Sequence, residues 1–176
     1  VLVNRSWGFY ATPILQKEKV EEVVKRAVHS ANANSSLQKE KVVLAPMLEP
    51  WPKEKVGIYK TNAEIDPFQI SIEQKVTLLA SADESIKQAS SKIFWRIVEI
   101  SILKTRKLFA STEGVLLDQT FIESGGSAQA HAMEQRGQDT QRRSWPDSHI
   151  YYMQGGYEMI RKLNLVQNAV RMAQEA

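Results

Sequence analysis

The chain has 176 residues, 43% of them hydrophobic and 24% charged, a balance that excludes a disordered chain and suits one globular domain, 1–176. It contains no cysteine, which excludes disulfides, thiolate zinc sites and a cysteine nucleophile within this segment. Its net charge of +3 is interleaved along the chain, as on a mixed solvated surface, and no apolar run approaches the ~20 residues of a membrane-spanning helix.

Val1-Leu2-Val3 reads as the middle of a strand with no signal-peptide character, so the natural N-terminus is expected upstream. Ser6-Trp7-Gly8-Phe9-Tyr10-Ala11-Thr12 follows, and Thr12-Pro13 marks a turn or helix start. Val20, Val23, Val24, Ala27, Val28 and Ala31 form one amphipathic stripe, and the poor helix formers Asn32 to Ser36 are expected to end that helix. Four prolines (Pro46, Pro50, Pro52 and Pro67) predict irregular chain over 37–70 around Trp51, with a short strand at Val42-Val43-Leu44. Ser71 and Gln74 form a capping box opening a second helix. Its expected buried side is Ile72, Val76, Leu79, Ala80 and Ile86, ending near Ser90-Ser91.

From Lys92 the apolar period changes to two. Phe94, Val98, Ile100 and Ile102 are expected to face the helices, interrupted by Arg96. Turns are predicted at Lys104-Thr105-Arg106, at Ser111 to Gly114 and at Gly125-Gly126. They would separate four strands of an antiparallel meander, the last with Ala128, Ala130 and Ala132 as a small-residue face open to close approach. Gly137 to Gly156 is polar and reads as a loop, and Tyr157 to Ala176 as a last helix with Leu163, Val166, Ala169, Val170 and Ala173 on its apolar side. The predicted class is α+β: a two-layer domain with an antiparallel β-meander sheet and helices packed on one face.

Candidate chemistry is sparse. The histidines are His29, His131 and His149; none shows the helical two-histidine spacing of a zinc site, and on a strand His131 and Glu134 would point to opposite faces. Ser124 and Ser127 flank two glycines without forming a nucleophile elbow, so turn chemistry is the simpler reading. Asp118 and Glu123 do not pair by spacing as acid and base, and read as a solvated strand face. Trp7 and Phe9 share a face, either plugging the sheet against the first helix or lining a peptide groove, with Gly8 permitting close backbone approach. No catalytic or metal-binding residue is assigned, and substrate-binding residues stay unassigned. Nucleic-acid binding is disfavoured because the candidate sheet face carries Glu99, Asp118 and Glu123.

Four segments, in order, carry a resemblance. Ser6 to Ala31 is similar to a Trp-Gly-Phe segment and its following helix, and Asp66-Pro67 with Ser71 to Lys75 to an Asp-Pro…Ser-x-Glu-x-Lys helix start. Lys107 to Gln119 resembles a Ser-x-Glu-Gly hairpin, and Gly156-Tyr157-Glu158 a Gly-Tyr-Glu before a last helix. Together they resemble the N-terminal part of the TldD/PmbA family, zinc metallopeptidases once named modulators of DNA gyrase. Ser127 to Arg136 departs from it, lacking the aromatic-bearing strand expected there. The resemblance implies a substrate-side domain of a cytoplasmic two-domain peptidase acting on unfolded peptides inside a homodimer or a dimer of paralogues. The family's His-Glu-x-x-x-His motif is absent here, so the resemblance implies no cofactor in this segment and zinc in a C-terminal catalytic domain. The competing expectation is a stand-alone, non-catalytic protein- or nucleic-acid-binding module.

Overall fold

A computed structural model describes residues 1–44, 56–134, 137, 139–146 and 151–176. The fold is α+β, and its contacts divide the chain into two compact units, Val1–Trp51 and Pro52–Ala176. Trp51, Pro46, Pro50, Pro52 and His149 lie outside the described residues.

In the first unit, β1 (Leu2–Val3) and β2 (Ser6–Trp7) form a small antiparallel hairpin against α1 (Lys17–Leu37). Its turn residues Asn4 and Arg5 both have positive φ, 51° and 59°. Asn32 to Ser36 does not end the helix, which runs on to Leu37. The Ser35 and Ser36 hydroxyls donate to the carbonyls of Asn32 and Ala33, giving these poor helix formers local partners. Only the later half of the predicted stripe is well covered: Ala27 and Ala31 are buried, whereas Val20 and Val24 are exposed. Gly8 explains this. A Cβ there would stand 1.9 Å from the Ala27 carbonyl oxygen and 2.6 Å from the Ala31 amide nitrogen, so bare backbone lies directly on the helix. Trp7 and Phe9 therefore plug nothing; they are 54% and 83% exposed. The residues 42–44 form no strand, and Val42 is held by one hydrogen bond to the Arg5 carbonyl.

The second unit comprises β3 (Val56–Lys60), α2 (Ile72–Ala89), β4 (Ile93–Ala110), β5 (Leu116–Met133), β6 (Thr140–Trp145), β7 (Tyr151–Gln154), α3 (Tyr157–Lys162) and α4 (Leu165–Glu175). The predicted turn at Ser111 to Gly114 forms, with Gly114 at φ 85°. The other two turns do not. Lys104-Thr105-Arg106 lies inside β4, where Lys104 and Arg106 share a face but take different partners: Arg106 makes a two-point ion pair with Asp118, and Lys104 stands over the Phe68 ring. Gly125-Gly126 lies inside β5, where neighbouring strands press from both sides. A Cβ on Gly125 would meet the Tyr151 carbonyl oxygen at 2.0 Å, and one on Gly126 the Glu99 carbonyl oxygen at 2.7 Å. Four short strands are thus two strands of 18 residues each, about 60 Å long.

β5 is the spine of this sheet. β4 runs antiparallel along one side of it; β3 (parallel), β7 and β6 (both antiparallel) succeed one another along the other. Neither β3 nor the strands within the predicted loop 137–156 were expected. Their sequences are short and polar or exposed, and pairing with β5, not an apolar alternation, makes them strands.

The capping box is present, with the Ser71 hydroxyl accepting from the Gln74 amide and the Gln74 side chain accepting from the Ser71 amide. The buried phase of α2 is rotated from expectation: Ala82 and Ile86 are buried, while Ile72 and Val76 are exposed because the helix's first turns extend past the core. The single last helix predicted from Tyr157 is two, broken where Asn164 takes a left-handed conformation at φ 45°. The core joins Ala82 and Ile86 of α2 to Leu165, Ala169, Met172 and Ala173 of α4 over Ala128 and Ala130 of β5. The alanine face thus receives a helix as expected.

Candidate functional site

Strand register separates two sheet faces. The core face carries Val98 and Ile100, and Arg96 is accommodated there by a two-point ion pair with Asp83 of α2 at 2.7 and 3.1 Å. Phe94 does not join them. A bulge between Ile93 and Trp95 makes Phe94 the extra residue, so Ile93 packs on the core instead.

The opposite face follows from the same register. Trp95 pairs with His131, Ile97 with Gln129, Glu99 with Ser127, and Leu103 with Glu123, while Tyr152 stands opposite Gly125. Trp95, Leu103 and Tyr152 are each about half exposed. At one end the His131 ring lies 4.4 Å from that of Trp95 and 6.3 Å from that of Phe94. At the other, Tyr59 stacks on Phe121 and donates its hydroxyl to Gln154. The result is a long surface of aromatic and aliphatic side chains with few charges, on the side of this sheet away from α2 and α4.

The polar residues on β5 are positioned by this face. Burial holds the His131 imidazole below its ordinary pKa, aided by the charge of Arg142, and its Nε2 is buried without a hydrogen-bond partner. Ser127 donates to Glu99 at 3.0 Å, and Ser124 is buried on the core side with an unpartnered hydroxyl. Neither serine is in a turn. Asp118 lies on the core-side face, held below the usual carboxylate range first by its hydrogen bond to Arg106. Glu123 points the other way, so the two carboxylates are not a pair. His29 is exposed on α1 beside Phe9 and Tyr10. Glu134 lies just past the end of β5, apart from His131. Among the described residues no three His, Asp or Glu side chains gather as metal ligands.

Glu158 of Gly156-Tyr157-Glu158 is a polar anchor that the sequence pattern alone does not single out. Its buried carboxylate accepts the Gly156 amide at 2.7 Å and the Ile65 amide at 3.0 Å, and the Tyr157 amide donates to the Ile65 carbonyl. Burial alone would raise its pKa. The amides of Gly156, Glu158, Ile65 and Glu64 more than offset that and hold it below the ordinary value. The motif therefore ties the start of α3 to the segment before α2. Asp66-Pro67 completes that segment, the Asp66 side chain accepting the Phe68 amide.

Residues 65–176 match the family described as the PmbA/TldA metallopeptidase central domain. The chain belongs to this family. The match begins at the residue that Glu158 grips and takes in the capping box, the long hairpin and α4. A curated metalloprotease of Methanocaldococcus jannaschii is 24% identical over 119 residues, covering 65% of this chain and 24% of that protein. The chain thus spans about a quarter of the length of the curated relative it matches. No helix among the described residues is long and apolar enough to cross a membrane.

Proposed function

We propose that this chain is the substrate-side part of a PmbA/TldD-like zinc peptidase, walling the chamber that takes unfolded peptide and supporting a dimer with a second copy or a paralogue. The sheet face away from α2 and α4 carries this reading. Trp95, Ile97, Leu103 and Tyr152 offer apolar contact without a deep pocket, as a surface for extended chains of many sequences requires. The residues present do not fit a zinc site. His131 sits between aromatic rings beside Arg142, and among the described residues no second or third donor converges on it. Zinc belongs in this reading to a C-terminal catalytic domain, and no chemical step falls to this chain. A cytoplasmic setting fits a chain without cysteine.

The test is a photo-crosslinking amino acid at Tyr152 in the intact protein, offered an unstructured peptide. Crosslinking at Tyr152 but not at Ile58, which is 84% exposed on the other face, is the expected result. Equal labelling at both positions, or none at Tyr152, refutes the wall. Peptide binding should depend weakly on salt. Tight DNA binding that falls steeply with salt would favour a nucleic-acid module instead.

A further inference from the structure

β4 is an edge strand: among the described residues it pairs only with β5, and its other edge carries no ladder over residues 93–110. A free edge of that length is a template for another strand. From Leu103 onward every residue of β4 is exposed, and the side chains left open there include Leu103, Leu108 and Phe109.

The order of side chains along this edge is self-complementary in one antiparallel register. With Leu103 opposite its own copy, Glu99 meets Lys107 twice by symmetry. Ile97 then meets Phe109, and Val98 meets Leu108. No like charges oppose each other: Arg96 faces Ala110, Lys104 faces Ile102, and Arg106 faces Ile100. Neighbouring registers fail. An axis at Ser101 sets Arg96 on Arg106, one at Lys104 sets that residue on itself, and one at Thr105 sets Lys104 on Arg106. An axis at Ile102 brings no opposite charges together. Opposed unlike charges and paired apolar side chains are what stabilise adjacent strands.

We propose that β4 joins the β4 of a second copy, antiparallel, with the two-fold axis at Leu103. This rests on the dimer reading above and gives it a surface. Because the axis falls on a residue, like faces adjoin. α2 and α4 of both copies lie on the same side, and the two opposite faces merge into one floor six strands across.

The chain has no cysteine, so Leu103→Cys supplies a specific probe in the intact protein, with the unsubstituted protein as control. Directly opposed residues on antiparallel strands have Cα atoms about 4.5–5.5 Å apart, within disulfide reach. Mild oxidation should link Leu103→Cys copies. Leu108→Cys should not link to itself, its two copies lying ten residues apart along the strand direction, about 33 Å. By analytical ultracentrifugation, Lys107→Glu should weaken the dimer about ten- to a hundredfold, and Glu99→Lys with Lys107→Glu should restore it. A dimer in which Leu103→Cys does not link overturns the edge pairing and leaves the dimer reading standing. A protein that is monomeric at every concentration overturns both. Dissociation of the dimer by an excess of unstructured peptide, with loss of the Leu103→Cys link, would make the edge a peptide strand site and overturn the proposal.

Discussion

Replacing Glu158 by glutamine removes a charge without changing shape, and tests whether the buried carboxylate holds the start of α3. The carboxylate accepts the amides of Gly156 and Ile65 at 2.7 and 3.0 Å. Hydrogen bonds to a charged group contribute about 1.5–3 kcal/mol each. Glutamine keeps one acceptor oxygen but turns its NH2 toward the second amide, so one bond is lost, the other weakened, and a buried donor left unpaired. The expected cost at pH 7 is about 2–4 kcal/mol, read as a lower urea midpoint at unchanged slope. The sign of the pH dependence follows from the lowered folded-state pKa. The carboxylate's stabilisation is fully present above its unfolded pKa of about 4.3 and is lost as pH falls through the lower folded value. The gap between parent and Glu158→Gln should therefore be constant from pH 7 to 5 and close below about pH 4. A cost under about 0.5 kcal/mol, or a gap that persists unchanged at pH 3, refutes the reasoning.

Four other outcomes are expected. Gly8→Ala should cost about 1–3 kcal/mol or more, because its Cβ meets α1 backbone and not a yielding side chain; hydrogen exchange of the Ala27–Ala31 amides would show loss of protection. Ile100→Asp should destabilise by about 2–4 kcal/mol without abolishing folding, since the side chain is half-buried and water reaches it; a thermal melt measures this. Asp83→Ala should cost only about 1 kcal/mol, the pair with Arg96 being partly solvated, as urea titration would report. Metal analysis of the purified 176-residue chain should find no stoichiometric zinc, because among the described residues no three ligands converge.

Features written in adjacent residues were readable in the sequence. Ser71 and Gln74 are three apart and cap their helix with their own atoms, and the turn ending at Gly114 closes by hydrogen bonds within Ser111 to Val115. Features that depend on distant partners were not. Gly125-Gly126 has the composition of a turn, and only the approach of β7 and β4, from elsewhere in the chain, shows why small residues stand there. Trp7 and Phe9 look like plugs because they are large, yet the contact with α1 is made by the glycine between them. Phe94 has the right parity for the core, but one extra residue in a bulge shifts the phase without altering composition. The candidate face was half-visible: Trp95, Ile97 and Glu99 could be read along one strand, but Tyr152 joins them from a segment whose polarity suggested a loop.

One edge of β5 is shared by three segments that meet it from far apart in the chain, β3 some sixty residues before it and β6 and β7 after it. Each is bonded to the spine and none is a strand neighbour of another. Their loss is therefore separable: β3 can detach without breaking a ladder bond of β6 or β7, and the reverse. The hairpin of β4 and β5 closes through a turn of a few residues, whereas β3 must close a loop of about sixty, a slower event with a larger entropy cost. In a pulsed hydrogen-exchange experiment the amides of β4 and β5 should gain protection first, and those of β3 last.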